Sequence, residues 1–359
     1  MSQLRISFLI LAICLLYVAE ALCAPPYPQS SIITNINWAP VAKILRKAPG
    51  SDTWPTTWAD DDSLYTVFGD GWGFTPKIAD KLSVGFAKIS GNPNQFVGVN
   101  IRSSTGEQTG GGLSGKKASG MLMVDGVLYM WVRNANNNGE QCQLAWSRDY
   151  AQSWTWSEWK FAELGYCVFL NFGKNYAGAR DDYVYAYSPN TPSAYNETDQ
   201  AILMRAPKEQ IANRGAYEFF AGFYDNGNPV WTTNINLRQG IFTFPGGVNR
   251  MDVTYNVPLG RYLMVMRSRA RAGGVNHFSI FDAPEPWGPW TTVYYTKNWE
   301  GKPLSTESDG WGESQHIPSK WISTDGTAFY LIFSGKDSFS VRKAELIVAP
   351  NLPIGSSAK

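Results

Sequence analysis

The feature that most constrains the fold is a hairpin pattern that occurs five times along the chain. In each copy an apolar strand leads into a turn rich in Asp, Gly or Asn, and a tyrosine lies early in the second strand. The aligned tyrosines, spaced 64, 56, 77 and 68 residues apart, are Tyr65, Tyr129, Tyr185, Tyr262 and Tyr330. Such turn residues tolerate tight backbone geometry between antiparallel strands. Five units at a loose period indicate radial repetition.

Two further strand patterns follow each of the first two hairpins, at residues 84–89 and 96–101 and at residues 143–147 and 155–160. Four strands in each of five units predict an all-β fold, a five-bladed β-propeller with four-stranded antiparallel blades. The fifth unit lacks an outer strand after residues 341–348, and residues 32–45 could supply it and close the ring. Two packed β-sandwiches are the alternative fold.

The N-terminal residues have the pattern of an export signal. Arg5 precedes an apolar run at residues 6–18, and Ala19-Glu20-Ala21 offers a cleavage site. The run is shorter than the roughly 20 residues that a membrane-spanning helix needs. We therefore expect a signal peptide at residues 1–23 and a secreted, single propeller domain at residues 24–359; a retained anchor helix is the alternative.

Export would place Cys142 and Cys167 in an oxidising compartment. A disulfide between them would contribute about 3 kcal/mol in the chain-entropy model, and two buried thiols are the alternative. Asn196 begins the sequon Asn-Glu-Thr, which is a glycosylation site if the host is a eukaryote.

Composition excludes several classes of function. The 359 residues include 31 Lys and Arg against 30 Asp and Glu, and this net charge of +1 does not suit a nucleic-acid binder. The two histidines, His277 and His316, are too few for a His-rich metal site. No segment has the ligand spacing of a calcium loop. We expect a monomer without a cofactor or membrane partner, and a structural Ca²⁺ has no support in the sequence.

Polar residues mark the starts of the predicted inner strands. In a propeller these strands line the central channel, so the loops that enter them open on one face. The residues at these starts are Asp52, Lys117, Asn171, Arg250 and Glu313. Asp70 and Arg267 follow the second strands of the first and fourth units on the same face. We therefore expect these side chains to converge on one site.

Paired carboxylates are what glycosidic cleavage requires. One protonates the leaving oxygen while the other activates water or attacks the anomeric carbon. Asp52 and Asp70 lie on adjacent loops of one blade, and Glu313 would face them from the last blade. Aromatic residues flank these acids and could stack on sugar rings, with core packing as the equal alternative: Trp54, Trp58, Trp72, Phe74 and Trp311. The turn aspartates, by contrast, are predicted to be solvated: Asp60, Asp61, Asp62, Asp125, Asp181, Asp182 and Asp325.

Four segments resemble a secreted propeller family long catalogued as a domain of unknown function: residues 51–62, 65–74, 171–182 and 249–256. Some bacterial members are endo-D-arabinanases, glycoside hydrolases that cut the arabinan of mycobacterial cell walls. The resemblance covers residues 37–348. It implies that the catalytic acids are two aspartates of the first blade, Asp52 and Asp70, but it does not fix the sugar.

The preferred hypothesis is a secreted glycoside hydrolase acting on a polysaccharide or oligosaccharide, with an arabinan-like polymer as one candidate substrate. Asp52 would be the base or nucleophile, Asp70 the acid and Glu313 a third carboxylate.

Two other functions remain open. In a polysaccharide lyase acting on a uronic-acid polymer, Lys117, Asn171 and Arg250 would neutralise the substrate carboxylate. Tyr255 or His316 would then exchange protons. A carbohydrate-binding propeller without catalysis would use the same aromatic residues.

Overall fold

The structure is a computed structural model that describes residues 24–268, 276–299, 301–304, 312 and 314–350. The predicted signal peptide, Trp311 and Glu313 lie outside the described residues. Within them the chain is built from β-strands joined by loops and short 3₁₀ turns. No helix in these ranges is both long enough and apolar enough to cross a membrane.

The described strands form five blades, of which blades three and four join into one ten-stranded sheet. Strands β1 (Ile33–Trp38) and β2 (Leu45–Lys47) come first. Blade one contains β3 (Asp52–Trp58), β4 (Leu64–Gly69), β5 (Gly85–Ser90) and β6 (Val97–Ile101). Blade two contains β7 (Lys117–Val124), β8 (Val127–Arg133), β9 (Cys142–Ser147) and β10 (Thr155–Phe161). Both blades are antiparallel, with the strands paired in chain order.

Blade three contains β11 (Val168–Asn171), β12 (Tyr183–Pro189), β13 (Thr198–Pro207) and β14 (Glu218–Phe223). It is extended by β15 (Pro229–Thr232), and β16 (Gly240–Val248) pairs with β13. Blade four contains β17 (Met251–Asn256), β18 (Arg261–Ser268), β19 (His277–Ala283) and β20 (Thr291–Thr296). A small hairpin, β21 (Asn298–Trp299) with β22 (Lys302–Pro303), follows. Blade five contains β23 (Gln315–His316), β24 (Ala328–Phe333) and β25 (Phe339–Val348).

The N-terminal strand closes the ring, as the sequence predicts. Strand β1 pairs antiparallel with β25, from Ile33 opposite Val348 to Trp38 opposite Ala344, and so becomes the outer strand of blade five. Before it, the Tyr27 ring packs against Phe242 at a centroid distance of 4.9 Å, which ties the segment to blade three. Closure through the first strand joins the two ends of the domain to each other.

The inner strands surround one channel. Strands β3, β7, β11, β17 and β23 are spatial neighbours in that order, and β23 in turn contacts β3. Between blades three and four the inner strands also pair in parallel, with Leu170 opposite Val253. The predicted five-bladed β-propeller is therefore confirmed, and two packed sandwiches are excluded. We call the end at which the inner strands begin the upper end.

The repeated tyrosines have a structural role in two blades. The Tyr65 hydroxyl donates to Asp61 Oδ2 at 3.0 Å, and the Tyr185 hydroxyl donates to Asp181 Oδ2 at 2.6 Å. In both hairpins the aspartate belongs to the turn and the tyrosine lies four residues later. Asp61 and Asp181 are exposed, as predicted for turn aspartates, and each also binds the tyrosine of its own hairpin.

The expected disulfide is not formed in this structure. Cys142 and Cys167 are both buried, free thiols. The backbone N–H of Cys167 donates to Cys142 Sγ at 3.0 Å, so the two residues are neighbours at the boundary between blades two and three. Burial raises the pKa of the Cys167 thiol, and the adjacent Cys142 raises it further. The alternative of two buried thiols describes the pair.

Candidate active site

Asp52 and Asp70 lie at the upper end of the same strand pair. Asp52 is the first residue of β3 and lies directly opposite Gly69, the last residue of β4, which Asp70 follows. A Cβ atom built on Gly69 would lie 3.0 Å from Asp52 Oδ1. A larger residue at position 69 would therefore crowd the carboxyl group of Asp52, and strand pairing places the two acids at neighbouring backbone positions.

The backbone around these acids is strained. Thr53 has φ of 72°, Trp54 has φ of 79° and Asp70 has φ of 41°, all in the left-handed region. For a β-branched or bulky residue such a conformation is an outlier, and it costs on the order of 1–3 kcal/mol. Strain of this kind is concentrated at sites where the surrounding structure fixes a functional geometry.

Blade five holds the strained segment in place. The carbonyl oxygen of Thr53 accepts hydrogen bonds from the hydroxyl groups of Ser314 and Ser334, the latter at 3.0 Å. The two hydroxyls are themselves 3.1 Å apart. Because this carbonyl belongs to the residue after Asp52, the two serines fix the direction in which β3 leaves the acid.

Lys117 forms an ion pair with Asp70. Its ammonium group contacts Asp70 Oδ2 across the boundary between blades one and two. The side chain of Lys117 is 5% exposed, whereas that of Asp70 is 27% exposed. The pair therefore orients Asp70 and leaves part of its carboxylate open to solvent.

Three arginines extend the cationic side of the site. Arg133 is the last residue of β8 and lies directly opposite Lys117. Arg250 directly precedes β17, and its carbonyl accepts the N–H of Arg267 at 2.9 Å. All three arginines are buried. The sequence indicated Arg250 and Arg267 but missed Arg133, although its place at the end of a second strand matches that of Arg267.

Arg133 and Arg250 both lie near the rings of Tyr166 and Tyr195. The Arg133 Cζ atom lies 5.8 Å from the centroid of the Tyr166 ring and 5.4 Å from that of Tyr195. The Arg250 Cζ atom lies 5.8 Å and 5.7 Å from the same two centroids. Tyr166 comes from the segment that enters β11, and Tyr195 comes from the loop between β12 and β13. Sequence analysis singled out neither tyrosine.

His316 lies deeper in the channel, beside an acid that the sequence analysis did not select. His316 Nδ1 is 3.3 Å from Asp252 Oδ1, and both residues are buried. Asp252 is the second residue of β17, two positions after Arg250. Side chains two apart on a strand lie on the same face, so this pair lies below Arg250 at the boundary between blades four and five.

Four of the predicted binding residues lie where a substrate at the upper end would not contact them: Trp54, Phe74, Asn171 and Tyr255. Trp54 and Phe74 are buried and pack on each other with ring centroids 5.6 Å apart. The backbone bulge after Asp52 turns Trp54 into the core, so the prediction that these rings stack on sugars is wrong. Asn171 ends β11 instead of beginning it, and its Oδ1 accepts from the Thr57 hydroxyl at 2.9 Å.

Tyr255 lies at the lower end of β17. Its ring packs on Tyr262, which lies directly opposite in β18, with centroids 4.6 Å apart. It therefore cannot exchange protons with a substrate held beside Arg250. The error arose because Tyr255 is five residues from Arg250 in sequence, and five strand residues span most of a blade.

The positions of Trp72 and Asn196 are compatible with their predicted roles in sugar binding and glycosylation. Trp72 is half-buried in the loop after Asp70, with the ammonium groups of Lys77 and Lys81 located 5.1 Å and 5.6 Å from its ring. Asn196 is exposed beside Tyr195.

Glu313, the predicted third carboxylate, lies outside the described residues. Those residues contain no cluster of three or more His, Cys, Asp or Glu side chains suited to a metal ion.

Comparison with known proteins gives structural likenesses only. No protein-family model and no curated protein matches this chain. Among solved structures it is similar to an α-L-arabinofuranosidase from Podospora anserina, with 11% identity and a TM-score of 0.48 over 88% of this chain and 98% of that one. It is similar to a GH43_1 enzyme from Xanthomonas citri, with 13% identity and a TM-score of 0.46 over 90% and 96% of the two chains. A β-xylosidase gives 13% identity and a TM-score of 0.47 over 89% and 97%. These likenesses assign no substrate or site residue to this chain.

Proposed function

We propose that this protein is a secreted glycoside hydrolase whose acid and base are Asp52 and Asp70. The observation that carries the proposal is the placement of both acids at the upper end of one strand pair, where Thr53, Trp54 and Asp70 have left-handed backbone conformations. Cleavage of a glycosidic bond needs two carboxyl groups that flank it. Strained backbone at Asp70 and at the two residues after Asp52 marks a functional site, and the pair of carboxyl groups favours catalysis over binding alone.

The surroundings of the two acids suggest different roles. The ammonium group of Lys117 contacts Asp70 Oδ2, and a carboxylate held by a cation suits a base or nucleophile. One carboxyl oxygen of Asp52 is fully buried beside Gly69. We therefore assign Asp70 as the base or nucleophile and Asp52 as the general acid, the reverse of the assignment made from sequence.

The lyase hypothesis loses two of its residues. Asn171 is hydrogen-bonded inside the channel, and Tyr255 lies at the lower end of blade four. His316 remains, but it is buried beside Asp252. The arrangement therefore favours hydrolysis, with Trp72 as the aromatic group placed to contact a sugar next to Asp70.

The decisive experiment is a polysaccharide panel that includes arabinan and uronic-acid polymers. New reducing ends would report hydrolysis, and ultraviolet absorbance of an unsaturated product would report elimination. We expect reducing ends without that absorbance, and we expect Asp52→Asn and Asp70→Asn each to reduce the rate by about 10²–10⁴-fold.

Asp80→Asn is the matched control, because Asp80 is an exposed acid in the loop that follows Asp70. It should retain the wild-type rate, and thermal unfolding of all three variants would show that they are folded. Glycan binding by the wild type without release of any product would contradict the proposal and favour a binding module.

A further inference from the structure

We propose that Asn196 carries an N-linked glycan, and that this glycan stands at the upper end of the channel, across from Asp52 and Asp70. Its attachment rests on export through a eukaryotic secretory pathway, and its effect on the substrate rests on the proposed function. Asn196, Glu197 and Thr198 form the one Asn-X-Ser/Thr sequence in the 359 residues. An N-linked glycan on this chain is therefore expected at this position.

The sequon lies in a surface loop. Asn196 is exposed and belongs to the loop between β12 and β13. Its backbone N–H donates to the Ser193 hydroxyl at 3.1 Å, so the turn that presents it is ordered by the loop itself. A surface loop of a secreted protein is the setting in which this motif acts as an acceptor, because the attached glycan is bulky and must stay in solvent.

This loop is fixed to blade two on one side. The backbone N–H of Ala194 donates to the Gly139 carbonyl at 2.9 Å. The hydroxyl of Tyr195 accepts from Asn134 Nδ2 at 2.8 Å. Asn196 therefore follows directly after two residues that bind the loop after β8, which lies at the upper end.

On the other side the loop is fixed to blade four. Glu197 Oε1 accepts from Asn249 Nδ2 at 3.1 Å, and Asn249 directly precedes Arg250. The ring centroid of Tyr195 lies 5.7 Å from Arg250 Cζ. The residues on both sides of Asn196 thus contact the start of blade four, so an attached glycan would stand at the upper end and not at the outer edge of blade three.

The attachment step is a group transfer from a lipid-linked oligosaccharide diphosphate. The amide nitrogen of Asn196 forms a bond to the anomeric carbon of the oligosaccharide, and it loses one proton. The bond between that carbon and the diphosphate oxygen breaks, and the lipid diphosphate leaves. No redox partner is needed.

The position of the glycan should restrict the approach of a long polymer. Blade three is not a neighbour of blade one in the ring, so the glycan faces Asp52 and Asp70 from the other side of the channel. A polymer that continues past the acids towards blade three meets the glycan, whereas a short oligosaccharide does not. Removal of the glycan should raise kcat/KM on the polymer by up to about tenfold, the lower end of the range over which association rates vary at one interface.

The test uses the full chain with its own N-terminal segment, secreted from a eukaryotic culture. Peptide N-glycosidase hydrolyses the bond between asparagine and glycan and leaves an aspartate, so peptide mass spectrometry reports both the attachment and its position. We expect the glycan on Asn196. Asn196→Gln and Thr198→Val should each abolish it, and because Thr198→Val keeps the asparagine, it separates the effect of the glycan from that of the side chain. Both variants should raise kcat/KM on the polymer but not on a short oligosaccharide.

The matched control moves the glycan to the lower end of the same blade. Asn196→Gln combined with Gly215→Thr creates a sequon that begins at Asn213, an exposed residue in the loop between β13 and β14. A Cβ atom at Gly215 would have Asn213 Oδ1, at 3.4 Å, as its nearest neighbour, so the position accepts a side chain. This variant should carry a glycan and yet match Asn196→Gln in kcat/KM on the polymer. Thermal unfolding would show that each variant is folded.

The outcomes are distinct. Absence of a glycan at Asn196 in the secreted chain overturns the proposal and leaves the hydrolase function standing. A glycan whose removal leaves kcat/KM on the polymer unchanged overturns its placement across from the acids, as does a glycan on Asn213 that restricts the polymer equally. A protein that is glycosylated at Asn196 but cleaves no polysaccharide supports the attachment site and contradicts the hydrolase function.

Discussion

The ammonium group of Lys117 contacts the carboxylate of Asp70 across the boundary between blades one and two. Lys117 begins an inner strand, and Asp70 follows the second strand of the neighbouring blade. The contact therefore depends on the packing of two blades, so the closed ring of blades also orients a proposed catalytic carboxylate, Asp70.

Replacing Lys117 with methionine should reduce kcat by about 10²-fold, because removal of one charged group at a reacting centre has an effect of this size. Steady-state rates on the glycan found in the panel would measure it. Lys116→Met is the matched control, since Lys116 is the adjacent residue but its ammonium group lies 5.0 Å from the Trp156 ring. A Lys117→Met variant that is less stable but fully active would show that the ion pair is only structural.

The serine pair of blade five provides a second prediction. The double variant Ser314→Ala/Ser334→Ala leaves the Thr53 carbonyl without either hydroxyl donor, which should cost about 1–3 kcal/mol of folding stability. Activity should fall by up to about 10²-fold as well, because a small displacement of Asp52 is enough to misalign it.

Ser338→Ala/Ser340→Ala is a matched control for the serine pair. These two hydroxyls also converge on one carbonyl, that of Gly335, at 2.6 Å and 3.0 Å. That double variant should lose stability but keep its kcat. Equal losses of activity in both double variants would mean that the Thr53 carbonyl has no special link to Asp52.

Strand pattern and turn chemistry were enough to predict the fold. The alternation of apolar residues and the Asp–Gly turns are local features, and closure by the first strand follows from the missing outer strand of blade five. The positions of Asp52 and Asp70 at the upper end could be predicted for the same reason, because each lies at the end of a strand whose limits the sequence shows.

The remaining site residues depend on information that local patterns do not contain. Trp54 is buried because the left-handed residues after Asp52 break the alternation of β3. The start of β11 at Val168 places Asn171 low in the channel and leaves Tyr166 near the upper end. Tyr195 comes from a loop, and its contacts with Arg133 and Arg250 result from the packing of three blades. Sequence patterns predict strand ends better than the contacts between them.

The tyrosine of the third hairpin should contribute measurably to stability. Tyr185 is buried and donates to Asp181 at 2.6 Å, so Tyr185→Phe should reduce the free energy of unfolding by about 1 kcal/mol. Denaturant unfolding would measure this value. Tyr129→Phe is the control, because the Tyr129 hydroxyl has no such bond to an aspartate of its turn among the described residues. Equal losses in the two variants would remove the special role of the Asp–Tyr pair.

His277 should make folding stability depend on pH. Burial, together with the charge of Lys297, lowers the pKa of His277 from 6.5 to about 4. The unfolded chain binds a proton at this residue as the pH falls below about 6.5, whereas the folded chain stays neutral there until about pH 4. The contribution of neutral His277 to the free energy of unfolding is therefore fully present above pH 6.5 and is lost as the pH falls towards 4. The loss should reach about 3 kcal/mol, since each pKa unit corresponds to about 1.4 kcal/mol.

His277→Phe keeps a ring against Tyr295, whose centroid is 4.9 Å from that of His277, and removes the titration. The free energy of unfolding measured from pH 4 to pH 7 should fall less steeply in this variant than in the wild type. Parallel curves for the two proteins would show that another group carries the pH dependence.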